Sequence, residues 1–240
     1  IIHPLIASRK FEIKALKKRL FDLIGEPFGQ KEDLIDRLKK ILREYASKSS
    51  IFKELIQNAD DSGATEVKFI LDKRYLRNDK TFCNAFNVLQ GPALLCWNNQ
   101  TFSEQDLLGI KSLGKGNKMS NLNKIGRFGV GFNISYHLTD CPQILSNNDN
   151  YIIFDPLCKH FPNLELTNPG CLIKNTRTKL KDSIFSDVYS GFDLNGIELE
   201  NSTLFRFSLR KTDSNISTSV NSFGVSVLIS EFLNKESKTI

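Results

Sequence analysis

The amino-acid order predicts an α+β domain, a two-layer sandwich of helices on one face of a mixed β-sheet. Three observations carry this. Segments of helical periodicity and segments of strand-like alternation are interspersed, without the regular βαβ order of a doubly wound parallel sheet. Each helical segment has an apolar arc that needs a sheet to cover it. No internal repeat or low-complexity tract points to a solenoid.

The elements follow in chain order. Residues 1–26 read as one amphipathic helix ending near Gly25-Glu26-Pro27, set apart from a main domain over 27–240. A second helix places Leu34, Leu38, Ile41, Leu42 and Tyr45 on one face. Ser49 or Ser50 is the expected cap of a third helix, running from Ile51 to Asp61 and stopped by Gly63. Val67, Phe69 and Leu71 alternate with polar residues as in a half-buried strand, and Ala93–Trp97 reads as another. Ser103 and Asp106 have capping-box spacing at the start of a helix. Lys111–Lys124 is rich in Gly, Lys, Asn and Ser and reads as a mobile loop. Gly126–Gly131 leads into a helix through His137. Strands are expected at Tyr151–Phe154 and Thr203–Leu209, and a last helix begins at Phe223. Residues 155–200 are poorly periodic. The chain opens on Ile1 and stops mid-pattern at Ile240, as a piece of a longer multidomain protein would.

Composition excludes several classes. Of 240 residues, 40% are hydrophobic and 25% charged, which is ordinary for a soluble globular domain. No apolar run approaches the roughly 20 residues of a membrane span, so no membrane partner is expected. The net charge is +6, and the one dense basic run is Arg9, Lys10, Lys14, Lys17, Lys18 and Arg19. No aromatic platform or reading motif accompanies it, so a solvated helix face is favoured over nucleic-acid binding. The five cysteines are odd in number and lack a CxxC pair, which favours a reducing compartment over a disulfide framework. Cys158 and His160 lack a second pair of ligands, so buried thiols are preferred to zinc.

Two constellations carry chemistry. Positions i, i+4 and i+7 of a helix share an arc, and here they are Glu54, Asn58 and Asp61. An asparagine amide oxygen there can join the shell of a hard cation. A carboxylate one turn away can orient a water. Alone, these three also fit an ordinary polar helix face. The second constellation is Gly126-Arg-Phe-Gly129-Val130-Gly131-Phe132, whose glycines permit close backbone approach to an anion. It has neither the GxGxxG order after a strand nor the terminal Gly-Lys-Ser/Thr of a Walker loop. By itself it fits a simple turn as well.

In this order the two constellations resemble the N box and second glycine box of the gyrase–heat-shock–kinase–MutL (GHKL) superfamily. Lys111–Lys124 falls where that superfamily keeps its ATP lid, and Ser202–Phe207 resembles its pocket-closing strand. Pro27–Gln30, Lys53–Asp61, Gln90–Leu94, Tyr136–Asp140, Ile153–Pro156 and Thr203–Phe207 resemble, within it, the sacsin-type repeat family. The resemblance implies the GHKL, or Bergerat, ATP-binding fold and ATP or ADP with magnesium as cofactor. It matches Asn58 to the magnesium ligand, Glu54 to the general base and Asp61 to an acid lining the pocket. Gly126, Gly129, Val130, Gly131 and Phe132 match the phosphate loop, and Thr203 the adenine end. It also implies a chaperone or co-chaperone role, with client proteins and the seventy-kilodalton heat-shock system as partners in the cytoplasm.

One motif departs from that family. Its first glycine box reads Asp-x-Gly-x-Gly, whereas this chain reads Asn98-Asn99-Gln100-Thr101-Phe102. Both glycines are gone, and either Asn98 or Asn99 stands for the aspartate that accepts from adenine. A neutral amide oxygen is a weaker acceptor than a carboxylate. The basic residue that assists hydrolysis in the heat-shock relatives comes from a following domain and cannot be assigned here. The expected function is therefore a sacsin-like chaperone repeat whose nucleotide pocket is weak or degenerate for ATP. A domain that binds Mg-ATP and hydrolyses it slowly is the alternative.

Overall fold

The structure is a computed structural model that describes residues 32–111 and 131–236. The expected helix over 1–26, the loop after Lys111, and Gly126, Gly129 and Val130 lie outside the described residues.

The chain from Leu34 onward forms one compact unit. Its helices are α1 (Leu34–Glu44), α2 (Ser50–Asp61), α3 (Glu104–Lys111), the single turn α4 (Ser186–Tyr189) and α5 (Ser222–Glu236). Its strands are β1 (Val67–Asp72), β2 (Ala93–Asn98), β3 (Pro142–Ser146), β4 (Asn150–Phe154), β5 (Gly170–Ile173) and β6 (Thr203–Ser208). Short 3-10 helices span Asn84–Gln90 and Gly131–His137.

The strands form one sheet in the order β1-β2-β6-β3-β4-β5, and every neighbouring pair is antiparallel. This corrects the expectation of a mixed sheet. β2 and β3 run the same way and are joined by a crossover containing α3 and the Gly131–His137 turn. They would be a parallel pair, but β6 enters between them and pairs antiparallel with both.

The two-layer expectation is corrected as well. On one face, Ile51, Phe52 and Leu55 of α2 pack with Leu94, Cys96, Ile144, Phe205 and Phe207. On the other, Leu95, Trp97, Leu145, Ile153 and Leu204 are covered by Phe86, Leu89, Leu180, Val188 and Phe192. The poorly periodic stretch supplies most of this third, irregular layer. The cause is local: Ala93–Trp97 is a continuous apolar run rather than an alternating one, so both of its faces need cover. Fully burying such a side chain contributes about 1.5–3 kcal/mol.

The ends of α2 and α3 position the site. Ser49 makes no side-chain cap; its hydroxyl pairs instead with that of Ser47 at 2.8 Å. The expected stop is present at the other end. Gly63 takes φ +80°, and its N–H and that of Ala64 return to the carbonyls of Asp60 and Ala59 at 2.8 and 2.9 Å. At α3 the capping box closes reciprocally. The Ser103 N–H donates to Asp106 Oδ2 at 2.8 Å, and the Asp106 N–H donates to Ser103 Oγ at 3.2 Å.

Candidate functional site

α2 buries Ile51, Leu55 and Ala59 in the core. This fixes its rotation and leaves Glu54, Asn58 and Asp61 half-buried along its edge. Asn58 lines a small cleft with Asn98, Gln100, Phe102, Phe132 and Phe205. Helix and strand thus bring together residues about 40 to 150 positions apart in the chain.

Glu54 does not line this cleft. Its carboxylate lies against Gly131, so closely that a Cβ there would stand 1.9 Å from Oε2 and 2.8 Å from Cδ. Burial pushes the Glu54 carboxyl above the usual carboxylate range. Asp61 Oδ2 is buried and has no hydrogen-bond partner among the described residues. Gly131 and Phe132 are buried, and the Phe132 ring sits 6.2 Å from that of Phe205.

The sheet separates the two asparagines. Asn98 ends β2 opposite Thr203, is buried and lines the cleft. Its Oδ1 accepts from the Gln100 N–H at 3.0 Å. Asn99 is used elsewhere. Its Oδ1 accepts from the N–H groups of Thr65 and Glu66 at 2.9 and 3.1 Å, and its Nδ2 donates to Thr65 Oγ1 at 2.8 Å. It therefore pins the α2–β1 connection and is not brought to the cleft.

Thr203 is fully buried, and its hydroxyl pairs with Ser146 Oγ at 2.9 Å. Ser146 Oγ also accepts from the Phe102 N–H at 2.8 Å. These bonds hold Phe102 where its ring meets Phe205 edge-on at 5.8 Å. Phe102 and Ser146 were not among the expected site residues. Phe102 carries a partial signal, since it falls on a glycine of the resembled motif when Asn98 is aligned with its aspartate; Ser146 carries none.

The cleft has a volume of about 20 Å³, enough for about one water. An adenine ring does not fit it in this arrangement. The Asn98 and Thr203 side-chain oxygens each make one hydrogen bond within the chain. The α2 end is different, since Asp61 Oδ2 is unengaged and Glu54 faces a glycine.

Beyond Phe132 and Ile110 lies an apolar groove of 490 Å³ with no charged side chain among its described lining residues. Among the described residues no group of three or more His, Cys, Asp or Glu side chains is placed to hold a metal. All five cysteines are free, Cys96 and Cys141 being buried and the other three half-buried. No helix among the described residues is long and apolar enough to cross a membrane.

Helices packed over a six-stranded antiparallel sheet, with a small cleft between α2 and the strand ends, define an α+β domain of helix-over-sheet type. The family model described as Sacsin domain matches residues 31–240, and the chain belongs to that family. It is 44% identical over 193 residues to human Sacsin, an alignment covering 80% of this chain and 4% of that protein. It is 27% identical over 108 residues to Protein NO VEIN of Arabidopsis thaliana, covering 45% of this chain and 4% of that protein. The chain thus spans only a small fraction of the length of these relatives.

Proposed function

We propose that this domain is a chaperone-type interaction module of the sacsin family, built on the GHKL fold, with a nucleotide cleft degenerate for ATP. The observation that carries this is Phe102, whose side chain lines the cleft and packs on Phe205, at a position that aligns with a glycine of the resembled motif once Asn98 takes the place of its aspartate. Asn98 adds to it, because a neutral amide that already accepts one hydrogen bond from the Gln100 N–H stands in for a carboxylate and is the weaker acceptor. Both act on the adenine end. The GHKL reading draws further support from Asn58 and Asn98 meeting at one cleft, and from Asn98 standing opposite Thr203. Clients and the seventy-kilodalton heat-shock system are the proposed partners, in the cytoplasm and within a longer multidomain protein.

Slow Mg-ATP hydrolysis is the second reading, and one observation favours it. Glu54 lies against Gly131 with its proton affinity raised, as a base beside a phosphate loop would be. Asn58 would hold the magnesium, which would supply charge neutralisation at the phosphates. Glu54 alone would leave the developing phosphate charge poorly neutralised.

The test is the aggregation of a thermally unfolded client protein in the presence of the chain. Suppression that is independent of ATP and unchanged in Asn58→Ala is expected. Suppression that requires Mg-ATP, or no suppression at all, would count against an interaction module.

A further inference from the structure

A second cavity, of 560 Å³, shares no lining residue with the Asn58 cleft. It lies between the α1–α2 connection, the residues following β6 and the first turns of α5. Its size is within the range of small-molecule sites. Among the described residues its lining holds three cations, Lys48, Arg210 and Lys211, and no carboxylate.

The three have different states. Arg210 is buried and fully engaged. It donates to Asp140 at 2.8 Å and to the carbonyls of Tyr136, His137, Thr139 and Thr218. It is a fixed charge in the wall. Lys48 uses one donor on Thr218 Oγ1 at 3.1 Å. Burial and then the Arg210 charge hold its ammonium below the ordinary lysine value. Lys211 has an ammonium 5.7 Å from the Tyr75 ring and no acceptor among the described residues. Two nearby carboxylates offset part of this charge. Asp140 is committed to Arg210 and Ser214, while Asp213 is exposed, accepts from the Ser219 N–H and faces Lys48. The balance remains positive, with spare donors on two ammonium groups.

We propose that this cavity binds a small phosphorylated ligand, held by Lys48 and Lys211 over the fixed charge of Arg210. Ammonium groups bind phosphate as point charges and suit a dianion shared between two of them. Tyr75, Pro92 and Leu228 give the lining an apolar part for the organic portion of such a ligand. A bound dianion would also relieve the repulsion between Lys48 and Arg210.

The experiment is a calorimetric titration of the chain with inorganic phosphate at constant ionic strength, with chloride as the reference anion. Saturable binding is expected in the unmodified chain. It should be at least tenfold weaker in Lys48→Met/Lys211→Met and unchanged in Lys73→Met, an exposed lysine outside the described lining, which ties the binding to this cavity. Lys211→Met alone is the second variant: Lys211 is exposed, so the fold is kept, and it should also weaken binding. Absence of saturable phosphate binding in the unmodified chain, or binding undiminished in the lysine variants, would overturn the proposal.

Discussion

The Glu54 carboxylate and Gly131 are in such close contact that no other side chain fits at position 131 without moving Glu54. The nearest atoms are the end of a long side chain rather than backbone, so Glu54 can swing aside. Gly131→Ala is therefore expected to cost only about 1–2 kcal/mol and to move the Glu54 titration back toward the ordinary carboxylate value. Glu54→Ala should remove most of that cost, giving a coupling of at least about 0.5 kcal/mol in a double-mutant cycle. Additive effects of the two changes would show that they do not touch.

The same burial makes stability depend on pH. The folded value of Glu54 is raised above its ordinary 4.5 by desolvation, so the folded chain binds the proton more tightly than the unfolded chain. Its contribution to stability is fully present below pH 4.5 and is lost as pH rises through the raised folded value. Glu54→Gln has no such loss. The melting temperature of the variant should gain on that of the unmodified chain as pH increases across this window, and level off above it. Parallel melting curves from pH 4 to 8 would contradict the assignment.

Much of α2 is legible in the sequence, because periodicity alone sets Ile51, Leu55 and Ala59 against Glu54, Asn58 and Asp61. The stop at Gly63 and the Ser103–Asp106 box are local signals and are equally legible. β3 and β5 are not. Pro142-Gln143-Ile-Leu-Ser146 has a polar residue on each face, and β5 has only four residues. The third layer is hidden because its turns are set by left-handed residues such as Cys158, Asn163 and Asn175, which leave no periodic trace. At the cleft, the choice between Asn98 and Asn99 depends on strand register, a property of the sheet rather than of neighbouring residues. That the motif's glycines are missing is visible in the sequence, but the placing of Phe102 in the cleft lining depends on Ser146, 44 positions away.

Arg206 is the largest fully buried side chain, with Nη2 donating to the carbonyls of Leu89 and Gly91 at 3.1 and 2.9 Å. Burial lowers its proton affinity to about 10, and Nη1 has no partner among the described residues. Arg206→Ala should cost about 2–4 kcal/mol through lost packing and lost bonds. Arg206→Met should cost less, since it keeps the volume and removes a buried charge. Chemical denaturation measures both, and equal losses would show that the charge rather than the packing matters.

Ser103→Ala should cost about 0.5–2 kcal/mol, because the Asp106 N–H loses its acceptor and the reciprocal bond loses its frame. Hydrogen exchange at the first turn of α3 should quicken more than exchange in β2. Unchanged protection there would show that the box is not needed to start the helix.

The most direct test of the account is a calorimetric titration with ATP and magnesium. It compares the unmodified chain with Asn98→Asp/Phe102→Gly. The unmodified chain is expected to bind weakly, in the high-micromolar range or poorer. A charged acceptor adds about 1 kcal/mol or more over a neutral one, and about 1.4 kcal/mol corresponds to tenfold. With the ring also removed, the double variant should gain at least about tenfold in affinity. Sub-micromolar binding of ATP by the unmodified chain would contradict the claim that its cleft is degenerate.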